Sequence, residues 1–363
     1  MAGVYIHIPF CRSRCYYCDF YSTTAHSLQN AYLQALAQEI ALRRNEWQPG
    51  AETIYFGGGT PSRIEAGAIV RLIDLIGGGK AEEITVEVNP GDAGLQYLQT
   101  LRQGGVNRLS MGVQSFHDER LKMIGRRHNS AQAIRAVETA REAGFDNLSL
   151  DLIYGLPGQT MTEWEEDIDR ILALAPEHIS TYCLQWEEGT KLFDMWQKGA
   201  VEPLDEEVEM AMYDRLTDQL KEAGYEHYEV SNYAKQGFRS KHNSSYWKDI
   251  PYVGLGAAAH SYDGVIRRWN PSDLDTYISQ MAEASRTGVL KYDFERLGDS
   301  ERYNEYIMLS LRTKEGTEAN KIRNTEVAER YIAEGLLQRE KERVRATQKG
   351  LHILNRIIED LLI

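Results

Sequence analysis

The sequence predicts an α/β chain: a partial (β/α)6 barrel followed by a small C-terminal winged-helix-like α+β domain. Two observations carry this. Six short β-type runs alternate with helix-type runs between Val4 and Gln185, an order that calls for parallel strands joined by right-handed crossovers. The residues with reactive or polar chemistry fall at the ends of those strand runs, where barrels of this kind place their sites.

The first run, Val4 to Ile8, leads directly into Cys11-Arg-Ser-Arg-Cys15-Tyr-Tyr-Cys18. Helical spacing follows from Ser27 to Trp47, marked by Leu28, Tyr32, Leu36 and Ile40. The second strand, Thr53 to Phe56, ends in Gly57-Gly58-Gly59-Thr60-Pro61, and Ser62 with Glu65 predicts a capping box for the next helix. That helix closes at Gly77-Gly78-Gly79, read as a helix C-terminus without a ligand role. Glu83 to Val88 is the third strand, with a helix over Leu95 to Leu101. Val106 to Gln114 is the fourth, with a helix over Ala131 to Ala143. Leu148 to Tyr154 is the fifth; Trp164, Ile168, Ile171 and Leu172 mark its helix, and His178 to Gln185 is the sixth strand. The cysteine loop and the first glycine triplet thus follow strands one and two. Glu87 and Gln114 close strands three and four, and Asp151 sits late in strand five. All share one rim.

From 186 to 290 the pattern breaks into tyrosine- and charge-rich sequence with one amphipathic helix, Asp205 to Ala223. The stretch from Asp299 reads helix, turn, helix, short strand, helix, with Val344-Arg-Ala-Thr347 as the wing. The expected division is 1–230 for the barrel core with its cluster and cofactor sites, 231–290 for a connecting region, and 291–363 for the C-terminal domain.

Composition excludes several classes. The chain has 363 residues, 42% hydrophobic and 26% charged, ordinary for a globular protein. A net charge of −13 argues against nucleic acid as a partner. Only four cysteines occur, three of them clustered, which fits a reducing compartment. No apolar run approaches the ~18 residues of a membrane span. The chain opens in a strand, so the expectation is a cytoplasmic protein without a signal peptide.

Three thiolates spaced C-x3-C-x2-C on one loop suit soft iron, and a cubane normally takes four. With no fourth cysteine nearby, one iron would stay open to another ligand. The competing readings are zinc, which wants a complete four-ligand cage that His7 is poorly placed to finish, and a disulfide, which leaves an odd thiol. Cys183 is the leftover cysteine, either a small buried hydrophobe or a catalytic thiol.

The spacing and setting of Cys11, Cys15 and Cys18 resemble the radical S-adenosylmethionine (SAM) superfamily, whose 4Fe-4S cluster holds SAM on its open iron. Tyr5-Ile-His-Ile-Pro-Phe-Cys11, Phe56-Gly-Gly-Gly-Thr-Pro61, Gly112-Val-Gln-Ser-Phe116 and Asp151-Leu-Ile-Tyr-Gly-Leu-Pro-Gly-Gln-Thr160 together look like its oxygen-independent coproporphyrinogen III oxidase branch. The resemblance runs through nearly the whole chain. It implies a radical SAM barrel and SAM contacts for Tyr5, Tyr17, Gly58, Gly59, Thr60, Glu87, Gln114, Arg126 and Asp151, with Arg127 as the alternative to Arg126. Gly58, Gly59 and Thr60 would meet the methionine amino end, Arg126 the carboxylate, and Tyr5 would stack near the adenine or cluster.

Two departures argue against coproporphyrinogen decarboxylation. Phe20 stands where the oxidase pattern has a further cysteine, and the oxidase's N-terminal extension has no counterpart before the first strand. One feature points elsewhere: His242-Asn-Ser-Ser-Tyr246-Trp247 resembles the H-N-x-x-Y-W signature of the heme chaperone HemW family in the same branch. His242 could give heme iron an axial imidazole while Tyr246 and Trp247 cover a porphyrin face, with His260 as second-choice ligand and Gly254-Leu-Gly256 as a turn. A histidine satisfied in a loop beside packing aromatics is the alternative.

The resemblance therefore implies a heme chaperone with cluster and SAM sites. Its partners would be an acceptor such as a respiratory cytochrome, met transiently at the membrane, and an electron donor such as flavodoxin or ferredoxin. A porphyrin-modifying radical enzyme is the alternative. A winged-helix nucleic-acid-binding sensor is a third reading that the acidic balance opposes.

Overall fold

The computed structural model describes residues 3–363. Its centre is six parallel strands in chain order: β1 (Gly3–Ile8), β2 (Thr53–Gly58), β3 (Glu83–Val88), β4 (Arg108–Gln114), β5 (Leu148–Tyr154) and β6 (His178–Cys183). The crossovers carry α1 (Gln29–Arg43), α2 (Ala66–Ile76), α3 (Leu95–Gln103), α4 (Asp118–Met123), α5 (Ser130–Glu142) and α6 (Met161–Ala173). The partial barrel is borne out, with α4 as an unexpected extra helix.

Strand alternation explains the layering. One parity is apolar and packs on the helices: Val4, Ile6 and Ile8, then Ile54 and Phe56, then Ile84, Val86 and Val88, and so on to Ile179. The other parity is polar and faces its counterparts inside: Tyr55 Oη donates to Glu87 Oε1 at 2.8 Å, and Ser110 Oγ to Asp151 Oδ1 at 3.3 Å. Ser149 Oγ likewise lies 2.8 Å from His178 Nδ1. Successive strand side chains point to opposite faces, so the main apolar core lies between sheet and helices, and the barrel interior is lined for polar ligands.

The region expected to be irregular adds to this sheet at both edges. After α7 (Lys191–Gln197) and α8 (Glu206–Glu222), β7 (Glu226–Glu229) and β8 (Asn232–Ala234) add antiparallel strands beyond β6. Then come α9 (Lys241–Trp247) and β9 (Tyr252–Leu255), which pairs parallel with β1. Beyond it lie β10 (His260–Tyr262), β11 (Ile266–Trp269) and, after α10 (Leu274–Thr287), β12 (Asp293–Arg296). The result is one 12-stranded sheet. Strands of three or four residues are too short to show a period, which is why the sequence pattern dissolved there. Gly254 lies within β9, and only Gly256, at φ 98°, makes the turn.

The capping box expected at Ser62 and Glu65 does not form. Ser62 Oγ instead accepts from Asn89 N at 3.1 Å, tying the segment after β2 to the end of β3. Capping boxes close Asn129 with Gln132 at α5 and Thr160 with Glu163 at α6.

The remaining chain packs α11 (Asp299–Ser310), α12 (Thr325–Ala333), α13 (Gln348–Leu351) and α14 (Leu354–Leu361) around a three-stranded sheet. In it β15 (Arg343–Ala346) lies between β13 (Thr317–Glu318) and β14 (Leu337–Glu340). Ile307, Val344, Ile357 and Leu361 centre a second apolar cluster. Among the described residues no helix is long and apolar enough to cross a membrane.

Candidate functional site

Two cavities open on the inner side of the sheet. The larger, about 520 Å³, lies at the C-terminal ends of β1 to β6. Cys11, Cys15, Cys18 and Tyr17 come to it from the loop after β1, Gly58, Gly59 and Thr60 from the end of β2, and Glu87, Gln114, Asp151 and Arg126 from the strands and loop beyond. Residues scattered over 140 positions of sequence thus share one wall.

The glycine triplet is required by packing as much as by any ligand. A Cβ on Gly59 would stand 2.7 Å from the Pro9 backbone and 3.1 Å from Cys11 Sγ, and Gly58 holds φ 107° against His7. The glycines let β2 approach the cysteine loop, and Thr60 Oγ1 lies 3.4 Å from Cys11 Sγ.

Several groups on this wall have unmet bonding capacity. Gln114 adopts φ 71° at a register shift in β4, a strained conformation of the sort found at functional positions. Its buried Oε1 has no hydrogen-bond partner, and neither has Nε of Arg126. Arg126 otherwise donates to the Gly112 carbonyl and, at 3.5 Å, to Cys15 Sγ. Arg127 instead pairs with Asp92 at 3.1 Å, so of the two arginines it is Arg126 that has a buried donor without a partner. Burial raises Glu87 to about 7, opposed by the Tyr55 hydroxyl, and raises Asp151 to about 6, opposed by Arg108. Both carboxyls stay close to their switching point at neutral pH. Asp151 sits at the middle of β5 rather than late in it.

An acceptor amide, a guanidinium, two tunable carboxyls and exposed glycine backbone form a set suited to a zwitterion carrying hydroxyls, which is what SAM is. The three thiols face the same space, and no trio of ligating side chains among the described residues converges as a mononuclear ion requires. A cubane takes one thiolate per iron, so the donor set fits a 4Fe-4S cluster. Cys183 is on this wall as well, its thiol pushed up to about 12 by burial and by Glu209.

The second cavity, about 400 Å³, lies on the inner face of β1 and β9 to β11 and is closed by α11. Tyr5, His7, Tyr21, Tyr246, Tyr252, Tyr262 and His260 line it, with Leu309 and Glu305 from α11. Phe20, 70% exposed, belongs to the walls of both cavities. Tyr5, expected to stack near the adenine or cluster, lines this second cavity, its hydroxyl 3.0 Å from His7 Nδ1.

The expected axial ligand is not presented to either cavity. His242 is 0% exposed, and both ring nitrogens are engaged, Nδ1 by Thr53 Oγ1 at 2.7 Å and Nε2 by Tyr246 Oη at 2.8 Å. Burial, with Arg108 nearby, pushes its imidazole down to about 3. Glu83 accepts from the backbone N–H groups of Lys241 and His242, fixing α9 at the N-terminal ends of the strands, opposite the cysteine loop. Trp247 lies half-buried outside both walls. Of His242, Tyr246 and Trp247, only Tyr246 lines either cavity.

Sequence reasoning missed Ser110 and Tyr182 on the first wall, although their parity with Gln114 and Ser180 pointed inward. It also missed Asp167 of α6, which accepts from Phe116 N at 2.6 Å and Ser115 Oγ at 2.8 Å and so anchors the loop after β4.

Over residues 5–171 the chain matches the Radical SAM superfamily, and over 297–353 the HemN C-terminal domain. It is similar to the heme chaperone HemW of Bacillus subtilis (strain 168), 40% identical over 323 residues that span 87% of this chain and 84% of the relative. It is also similar to the heme chaperone HemW of Lactococcus lactis subsp. lactis (strain IL1403), 36% identical over 377 residues, 99% of this chain and 97% of the relative. Among solved structures, coproporphyrinogen III oxidase (HemN) from Escherichia coli, a radical SAM enzyme, superposes with a TM-score of 0.82. That match covers 99% of this chain and 89% of the other at 23% identity, a likeness of fold.

Proposed function

Because this chain belongs to the radical SAM superfamily and, within it, to the HemW heme chaperones, we propose that it binds heme beside a SAM-ligated 4Fe-4S cluster and passes the heme to an acceptor protein. The observation that carries the reading is the larger cavity, where three thiols stand with the partnerless Gln114 Oε1 and Arg126 Nε.

Cys11, Cys15 and Cys18 hold the cluster. Gly58, Gly59 and Thr60 receive the amino end of SAM, Arg126 its carboxylate, Glu87 and Asp151 its hydroxyl or cationic groups, and Gln114 donates or accepts beside them. Tyr17, on the cysteine loop and lining the same cavity, adds a further contact to SAM. When bound, such a cluster supplies single electrons. The side chains of this protein position the ligand and exclude water. The heme is cargo, and the aromatic second cavity is the place with the chemistry for it, since tyrosine faces suit a flat apolar plate. The acceptor is a respiratory cytochrome or enzyme reached at the membrane surface from the cytoplasm. Electrons come from a small carrier such as flavodoxin or ferredoxin.

Cluster-reconstituted protein is incubated anaerobically with hemin, separated from free ligand, and mixed with an apo-cytochrome. Stoichiometric retention followed by transfer is expected. Retention without transfer removes the chaperone role, and coproporphyrinogen consumption with SAM and reductant would return the chain to the decarboxylases.

A further inference from the structure

Two histidines line the aromatic cavity and a third, His242, lies behind Tyr246; they differ in what their ring nitrogens do. His7 is engaged on both sides, by Tyr5 Oη and the Tyr21 carbonyl, each at 3.0 Å. His242 is engaged on both sides too, by Thr53 and Tyr246. His260, which opens β10, makes no side-chain hydrogen bond among the described residues and stands exposed on the cavity wall. Its ring is oriented by stacking on Trp269, its cross-strand partner in β11, with centroids 5.6 Å apart and 24° between planes.

We propose that His260 is the axial ligand this chain offers to heme iron, with the porphyrin in the aromatic cavity, and that His242 is a positioning residue that holds Tyr246 in the cavity wall. The proposal rests on the heme-binding reading above. Iron takes a neutral imidazole nitrogen with a lone pair free. Burial and the Arg267 guanidinium push His260 down from its ordinary value, so the ring is unprotonated at neutral pH. Using His242 would break two buried hydrogen bonds and strand the Thr53 and Tyr246 hydroxyls. It would also draw the iron to Gly3, whose Cβ position lies 3.0 Å from His242 Nδ1, deep at the far end of the barrel. His242 has a role that fits its place. It stacks on Tyr55 at 5.1 Å and fixes Tyr246, which in turn sets Tyr252 edge-on at 4.7 Å.

The test titrates full-length protein with hemin and follows Soret absorbance and resonance Raman spectra, wild type beside His260→Ala, His242→Ala and Tyr246→Phe. Wild type is expected to bind one hemin with an imidazole-ligated signature. His260→Ala should lose that signature and about tenfold in affinity, and added imidazole should restore the signature, which shows that the variant is folded. His242→Ala and Tyr246→Phe should keep the signature while binding more weakly. A signature that survives in His260→Ala, or that vanishes in His242→Ala alone, overturns the ligand assignment and leaves heme binding standing. No saturable binding to wild type ends the heme reading itself, and this proposal with it.

Discussion

Glu87 shows how one side chain couples the site to the fold. Its carboxyl titrates near 7 because burial disfavours the charge, whereas an unfolded glutamate titrates near ~4.3. Between those values the folded chain holds a proton that the unfolded chain has released, so stability falls as pH rises through the window. Glu87→Gln removes that slope. Its melting temperature should gain on wild type between about pH 5 and about pH 7.5 in the ligand-free protein, read by thermal denaturation at each pH. Parallel curves would mean that Glu87 is ionised throughout. Positions such as Glu87, Gln114 and the cysteines were legible because each ends a strand run and the rim rule does the rest. The state of His242 was not legible. Its partners Thr53 and Glu83 lie far back in sequence, and a hydrogen bond across 189 residues leaves no local trace.

At the scale of elements the same limit explains the missed strands. β9 and β10 are held by a buried network centred on α1. Arg43 Nη1 donates to Glu39 Oε1 and to the Gly254 carbonyl, both at 2.7 Å, and Glu39 Oε2 accepts from Gly256 N at 2.8 Å and Tyr277 Oη at 2.7 Å. In the sequence Glu39 is one polar residue in a helical run. Only the fold reveals it as the post to which a distant edge of the sheet is tied. Glu39→Ala leaves the buried Arg43 guanidinium with only the partly exposed Glu46 as counter-charge, and breaking a buried pair costs about 3–5 kcal/mol. Urea denaturation should register a loss of that order. A loss under about 1 kcal/mol would show that Glu46, which also pairs with Arg43 at 2.9 Å, suffices alone. The six long strands were readable for the opposite reason, each combining an apolar stripe with a turn signal and a following helix.

For the molecule as a whole, the C-terminal unit is part of the second site. Leu309 and Glu305 of α11 line the aromatic cavity, and Glu305 pairs at 2.7 Å with Arg267, which lines it too. The first cavity takes nothing from that unit. Leu309→Asp should therefore weaken hemin binding by about tenfold and leave SAM binding to the reconstituted cluster unchanged, both read by equilibrium titration. Equal loss at both sites would mean that the substitution disturbs the barrel. The expected winged-helix-like tail was thus legible as a fold while its contribution to a site was not, because helical periodicity marks Ile307 and Leu309 alike as apolar positions but says nothing of what Leu309 faces.

The sheet that carries both cavities ends at β12, all four of whose residues are exposed, Phe294 to 63%. An open edge with apolar side chains is a template for another chain's strand, and proteins that keep such edges guard them with charge. Leading into and along this one, Lys291, Asp293 and Glu295 alternate with Tyr292 and Phe294, and Arg296 follows. Charge on such an edge opposes pairing with another chain's strand, so exchanging it for apolar residues would leave the edge open to aggregation.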